Sequence, residues 1–177
     1  FRIPLVTFVD TPGAWPGIES EESGLAFEIA TTMTAMIRVD APTIAVIIGE
    51  GGSGGALAIA VADHVLMQER AIYSVIAPEG AAAILYRDAS RAPELAERLK
   101  ITAAEVRRLG ISDGTIREPT GSAKADPAEA ARLVRAAILD HLAELNRGDP
   151  TKRRPRRFAR YRAVGSNHIT DRSVRNG

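Results

Sequence analysis

Short apolar runs alternate along the chain with longer stretches that have helical spacing. The apolar runs are rich in β-branched residues and are typical of buried strands. They lie at residues 3–10, 43–48, 65–67 and 72–76, and a further short strand is predicted at 114–117. Between them, apolar residues and helix-start signals predict helices at residues 21–38, 53–62, 78–86, 91–100, 102–109 and 126–146. Strands that alternate with helices are typical of an α/β fold, which we therefore predict.

The composition excludes several classes of protein. The chain has 177 residues, 45% of them hydrophobic, a net charge of +1 and no cysteine. It therefore has no disulfide, no cysteine-based zinc site and no cysteine nucleophile. No apolar run is long enough to span a membrane, and no signal-peptide pattern opens the chain. We expect a cytoplasmic protein with neither a nucleic-acid nor a membrane partner.

The positive charge is concentrated near the end of the chain. Residues 152–162 carry seven cationic side chains and no acidic one. The simplest interpretation is a solvated terminal helix or tail, while a nucleic-acid or membrane patch is the weaker alternative.

The segment from Gly49 to Ala58 is the strongest chemical signal. It holds five glycines in seven residues, directly after a predicted strand and directly before a predicted helix. A phosphate-binding P-loop would need a lysine here, and the segment has none. The string Gly-x-Gly-x-x-Gly is present at residues 49–54, but no acidic residue follows at the spacing of a dinucleotide-binding fold. Nucleotide binding is therefore a minor hypothesis.

A serine nucleophile is a sharper alternative. Gly51 to Gly55 satisfies the pattern Gly-x-Ser-x-Gly around Ser53. A nucleophilic serine needs a base within hydrogen-bond reach, and none of the three histidines, His64, His141 and His168, lies at a suitable place along the chain. The simpler interpretation is that Ser53 caps the helix that it precedes.

Backbone amides are the third candidate. The first N–H groups of a helix have no intrahelical acceptor, and the helix dipole places partial positive charge at that end. Glycines allow a ligand to approach such a backbone closely. The best-placed donors are the amides of Gly54 and Gly55, and we predict that they stabilise a developing negative charge.

Two glycine motifs together support a resemblance to a known family. These are Asp10-Thr11-Pro12-Gly13-Ala14-Trp15-Pro16-Gly17 and the segment from Gly49 to Ala58, followed by Tyr73-Ser74-Val75-Ile76-Ala77-Pro78-Glu79-Gly80 and Ile116-Arg117-Glu118-Pro119. The chain resembles the carboxyltransferase α subunits of bacterial acetyl-CoA carboxylases and the matching halves of fused acyl-CoA carboxylases.

The resemblance implies a fold and a set of partners. The fold is the crotonase (ClpP-like) superfold, built from ββα units. The function is transfer of a carboxyl group from carboxybiotin, carried by a biotin carboxyl carrier protein, to acetyl-CoA, which gives malonyl-CoA. A carboxyltransferase β subunit would complete a hetero-oligomer, and zinc is expected on that subunit only. Biotin would not be bound permanently, and no metal-binding residue is predicted here.

The resemblance also implies site residues. The oxyanion hole falls on the amides of Gly54 and Gly55, where the physical argument had placed it. Biotin contacts are expected at five further residues, namely Gly13, Ala14, Gly52, Ser53 and Ala56. Two alternatives stay open: another crotonase-type acyl-CoA hydratase, isomerase or hydrolase, and a fragment that is inactive without its partner chain.

The resemblance also predicts how the chain is divided. It covers residues 1–147, which we assign to a crotonase domain that lacks an N-terminal part. Residues 148–165 are predicted to form a basic helical extension, and 166–177 a disordered tail.

Overall fold

The computed structural model describes Phe1 and residues 3–165. Its five strands are β1 (Leu5–Thr11), β2 (Thr43–Gly52), β3 (His64–Gln68), β4 (Ile72–Ser74) and β5 (Gly114–Ile116). The α-helices of the described residues are α1 (Ile18–Glu22), α2 (Leu25–Arg38), α3 (Ser53–Ala60), α4 (Pro78–Tyr86), α5 (Ala92–Leu99), α6 (Ala103–Arg108), α7 (Pro127–Arg147) and α8 (Arg153–Ala163). Short 3-10 turns at Ala89–Arg91 and Pro150–Lys152 precede α5 and α8. The predicted α/β class is confirmed.

All strand pairs in the sheet are parallel. The order is β1-β2-β3-β5, and β4 pairs with the distal half of β2. The first half of β2 aligns Ile44 with His64 of β3, whereas its second half aligns Gly52 with Ser74 of β4. Strand β2 is thus the central element, and its carboxyl end carries the glycine segment.

Helices cover both faces of the sheet. Ala45 and Ile47 of β2 point into a cluster formed with α3 and α6, which also holds Val9, Ala56 and Val106. The alternate residues of β2, Ile44 and Val46, point into a second cluster with Val134 of α7. A strand that is buried on both faces shows a continuous apolar run, as the sequence of β2 does.

Several boundaries differ from those predicted, and three of them have an evident structural cause. The helix expected at 21–38 is two helices, because Gly24 adopts the left-handed region at φ 76° and breaks it. Strand β2 extends to Gly52 because Glu50, Gly51 and Gly52 pair with β4. Strand β4 ends at Ser74 rather than at residue 76. Pairing between distant segments, rather than the local pattern, determines the last two.

The basic run forms helix α8, and part of it is buried against the body of the protein. Arg157 is only 1% exposed. The guanidinium of Arg160 donates to the Asp63 and Ile111 carbonyls, and the Tyr161 hydroxyl accepts from the Ala62 amide. The prediction of a solvated helix is therefore wrong for these residues. The division at residue 147 stays a prediction, and residues 166–177, with His168, lie outside the described residues.

Candidate active site

The turn from β2 into α3 presents unpaired backbone amides. Gly52 is the N-cap residue of α3, and no side chain in the described part of the chain caps this helix start. Ser53 is the first helical residue and has φ 52°, so the capping role predicted for it is wrong. The amides of Ser53, Gly54 and Gly55 have no intrahelical acceptor by helix geometry. The turn therefore offers N–H donors to which no side chain of the described residues is hydrogen-bonded as a cap.

The loop after β1 crosses directly over this turn. A Cβ on Gly55 would lie 2.6 Å from the Ala14 amide nitrogen and 2.8 Å from the Gly13 carbonyl carbon. A Cβ on Gly52 would collide with the Pro12 carbonyl. Glycine is required at both positions because the backbone of the crossing loop packs directly against the backbone of the turn. This close packing explains in part why the segment is so rich in glycine.

The side chain of Asp10 is hydrogen-bonded to the backbone just before the glycine turn. Its Oδ1 accepts a hydrogen bond of 2.9 Å from the amide of Glu50. A Cβ on Gly49 would run into the same carboxylate. This contact joins the ends of β1 and β2 and fixes the path of the chain into the glycine turn.

Gly54 differs from Gly52 and Gly55 because a Cβ added there would meet no backbone atom. The nearest atom to a Cβ placed there is Cδ1 of Ile29, at 3.5 Å. Gly54 also borders a pocket of about 360 Å³. Its lining is mostly apolar and consists of Ser53, Gly54, Leu57, Tyr73, Ser74, Val75, Leu99, Lys100, Val106, Leu109 and Ile111. Burial raises the pKa of the Tyr73 hydroxyl above its ordinary value, because a phenolate would be poorly solvated there.

The structure brings six of the seven predicted site residues together at one place. Gly13 and Ala14 lie against Gly52, Ser53 and Gly55, and Gly54 borders the pocket. The seventh, Ala56, has its side chain fully buried in the core. The apolar wall formed by Leu57, Val75 and Leu109 was not predicted, since it depends on the packing of α3, β4 and α6.

The arrangement does not support a serine nucleophile. Ser53 is exposed, and its hydroxyl has no hydrogen-bond partner among residues 3–165. His64 lies at the opposite end of the strands, because it aligns with Ile44 at the start of β2. His141 lies beside His64. Eight residues of strand separate Ile44 from Gly52, which is roughly 26 Å.

Comparison with protein families assigns the chain. A family model described as acetyl co-enzyme A carboxylase carboxyltransferase-like matches residues 1–165. The chain belongs to this family. The resemblance found in the two glycine motifs is therefore confirmed.

Curated relatives of this carboxyltransferase-like chain are named as α subunits. The acetyl-coenzyme A carboxylase carboxyl transferase subunit α of Acaryochloris marina is 48% identical over 165 residues, 93% of this chain and 51% of the relative. That of Thermus thermophilus is 49% identical over 166 residues, 94% of this chain and 53% of the relative. The chain spans about half the length of the curated relatives that it matches.

Solved structures share the fold of this family member. A transcarboxylase 12S structure with methylmalonyl-coenzyme A and methylmalonic acid bound matches 81% of this chain and 28% of its own, with TM-score 0.63 and 31% identity. A Pseudomonas malonate decarboxylase hetero-tetramer in complex with coenzyme A matches 97% of this chain and 66% of its own, with TM-score 0.72 and 21% identity. The second likeness shows the fold alone. The predicted crotonase fold is confirmed.

Proposed function

We propose that this chain provides the biotin side of an acetyl-CoA carboxylase carboxyltransferase. The amides of Gly54 and Gly55 would form an oxyanion hole at the start of α3. The observation that carries the proposal is that Gly54, in the first turn of α3, borders a mostly apolar pocket, so that the N–H donors of the helix start lie beside that pocket.

The residues of the turn fit a biotin head group. Small-molecule sites combine a mostly apolar wall with a few polar groups at fixed positions. Here Leu57, Val75 and Leu109 supply the apolar wall, and the turn supplies the donors. Gly13 and Ala14 would border the ligand from the crossing loop, together with Gly52 and Ser53. Ala56 would contribute through its backbone only, since its side chain is in the core.

The chemistry requires charge stabilisation rather than a side-chain nucleophile. When bound, carboxybiotin would supply the carboxyl group, and negative charge would develop on the ureido oxygen as that group leaves. The amides of Gly54 and Gly55 are held in place by the crossing loop, so they need not reorganise as the charge develops. The partial positive charge of the helix start adds to their effect.

A partner chain is part of the proposal. Several large apolar side chains are exposed on the elements that form or follow the site: Val75 of the pocket wall at 74%, Trp15 of the crossing loop at 74%, Ile18 of α1 at 78% and Phe27 of α2 at 72%. Exposed apolar clusters of this kind mark protein interfaces. We assign this surface to a carboxyltransferase β subunit, which would hold acetyl-CoA and carry any zinc. A biotin carboxyl carrier protein would deliver biotin to the completed site.

The pocket also weighs against a crotonase-type hydratase. Hydration of an enoyl-CoA needs acid–base groups at the reacting carbon atoms. Among the described residues, no carboxylate lines the pocket beside Gly54, where Lys100 is the charged residue. An amide-only site suits carboxyl transfer better than hydration.

The reverse half-reaction tests the proposal. Decarboxylation of malonyl-CoA would be measured with biocytin as acceptor, using the full-length protein alone, the β subunit alone and both together. We expect activity only with both. Full activity from the β subunit alone, or none from an assembled complex, would refute the proposal. In the latter case acyl-CoA esters would be screened for hydration or hydrolysis.

A further inference from the structure

Two histidines and a glutamate lie close together at the amino-terminal ends of the strands, the opposite end of the sheet from the glycine turn. His64 begins β3, and His141 and Glu144 lie three residues apart on α7. One ligand atom from each of the three side chains lies within 4.8 Å of the other two. The Nδ1 atoms of His64 and His141 are 2.8 Å apart, and Nδ1 of His141 is 3.9 Å from Oε2 of Glu144.

We propose that His64, His141 and Glu144 form a binding site for a divalent transition-metal ion of the zinc type. Two imidazole nitrogens and one carboxylate oxygen are a donor set that suits Zn²⁺, Co²⁺ or Ni²⁺. Three protein ligands leave one tetrahedral position for water. The proposal does not depend on the function assigned to the glycine turn.

The geometry needs only a small adjustment. Tetrahedral ligands at zinc–nitrogen bond lengths lie about 3.3 Å from one another. The two imidazoles would therefore separate by about half an ångström to admit an ion. The Glu144 side chain is 65% exposed, so it can move closer without disturbing the core.

The scaffold fixes the orientation of His141. A Cβ on Gly114 of β5 would lie 3.2 Å from Nε2 of His141, so a glycine leaves the space that this ring edge occupies. Since Nε2 faces Gly114, Nδ1 faces His64 and Glu144.

Two of the four arginines that line the adjoining cavity are paired with carboxylates, and a third, Arg153, donates to the carbonyls of Asp40 and Leu145. Arg160 pairs with Asp113 and donates to the carbonyls of Asp63 and Ile111. Arg157 is paired with Asp63. The carboxylates therefore offset the arginine charge close to the cluster, and an adjoining cavity of about 270 Å³ has room for the water ligand.

Such an ion would join β3 to α7. Binding to the folded state alone stabilises a protein in proportion to the logarithm of ligand concentration over Kd. Zn²⁺ is therefore expected to raise the melting temperature of the full-length protein. The ion would lie far from the glycine turn, so carboxyl transfer should not require it.

Metal titration of chelator-treated full-length protein tests the site. Calorimetry with Zn²⁺ and visible absorption with Co²⁺ should both report one ion per chain at this site. His141→Gln should abolish that binding, and Glu144→Gln should weaken it roughly tenfold or more, at least as much as loss of an outer-shell partner. Asp140→Asn, the same charge change at an exposed position of α7, is the matched control and should bind like the parent.

A His168→Gln variant shows whether the ion is bound by His64 and His141 or by the third histidine of the chain. His168→Gln should leave binding unchanged if the site is the one proposed. No uptake by the parent protein would overturn the proposal. So would equal uptake by the parent and by a folded His141→Gln variant, or loss of binding in His168→Gln alone.

Discussion

The guanidinium of Arg157 forms a buried, bidentate salt bridge with the carboxylate of Asp63. Nε donates to Oδ1 at 2.9 Å and Nη2 donates to Oδ2 at 2.7 Å, and both side chains are almost fully buried. Nη1 also donates to the carbonyls of Met36 and Val39, at the end of α2. Arg157 therefore ties α8 to the start of the sheet, although its sequence neighbourhood is that of a solvated basic segment.

Removal of Arg157 should destabilise the protein strongly. Arg157→Met leaves the Asp63 carboxylate buried without its partner, which costs about 3–5 kcal/mol. Arg162→Met, at an exposed position of the same helix, should change the free energy of unfolding by less than about 0.5 kcal/mol. Chemical denaturation of both variants measures the difference. Equal effects would show that the ion pair does not anchor α8.

The pair should also behave non-additively. Asp63→Asn removes the charge that Arg157→Met leaves behind, so the double variant should lose less stability than the sum of the two single variants. A double-mutant cycle in urea provides the coupling energy. Additive losses would mean that the two side chains contribute independently.

Gly55 should not tolerate even a methyl group. Gly55→Ala places a Cβ 2.6 Å from the Ala14 amide nitrogen, and backbone atoms cannot move aside cheaply. We expect a loss of about 1–3 kcal/mol in stability, as for other overpacked positions. Carboxyltransferase activity should fall as well, because the crossing loop would shift. Thermal melting and the biocytin assay report the two effects, and an unchanged melting temperature would contradict the close approach.

The hydroxyl of Ser53 should be dispensable for carboxyltransferase activity. Ser53→Ala should keep the carboxyltransferase rate within about threefold, because that hydroxyl has no partner among the described residues and neither His64 nor His141 lies near it. Ser53→Gly should be at least as stable, since φ 52° costs a non-glycine residue roughly 1 kcal/mol. A loss of activity of a hundredfold in a folded Ser53→Ala variant would revive the serine-nucleophile hypothesis.

The order of the elements could be predicted from the sequence because it depends on local signals. Asp126 and Thr102 accept hydrogen bonds from the backbone three residues on, as their capping patterns predict. The extension of β2 to Gly52 could not be predicted, because it depends on pairing with β4. Burial of Arg157 was missed for the same reason: its partner, Asp63, is 94 residues away.

The part of the candidate site that consists of backbone amides could be predicted from the sequence. Strand, glycines and helix follow one another in the sequence, so the donors at Gly54 and Gly55 follow from local structure. The pocket beside them was not predictable, because α3, β4 and α6 each contribute to it. The cluster of His64, His141 and Glu144 was missed because it joins segments that are 77 residues apart.

The central claim is that the turn acts through a backbone N–H, and Gly54 is the position at which it can be tested most cleanly. Gly55→Pro would remove an N–H but would also add a Cβ against Ala14. A Cβ at Gly54 would meet only side-chain carbons of Ile29, at 3.5 and 3.7 Å, so Gly54→Pro removes the N–H with less steric conflict than Gly55→Pro, and Gly54→Ala keeps the N–H. Proline is also tolerated in the first turn of a helix.

The measurement is the rate of biocytin-dependent malonyl-CoA decarboxylation by the complex with the β subunit. Complex assembly and melting temperature serve as controls for folding. We predict that Gly54→Ala stays near the parent rate, whereas Gly54→Pro falls roughly 10²- to 10³-fold, as for the loss of one oxyanion-hole donor. Near-parent activity in an assembled Gly54→Pro complex would contradict the account.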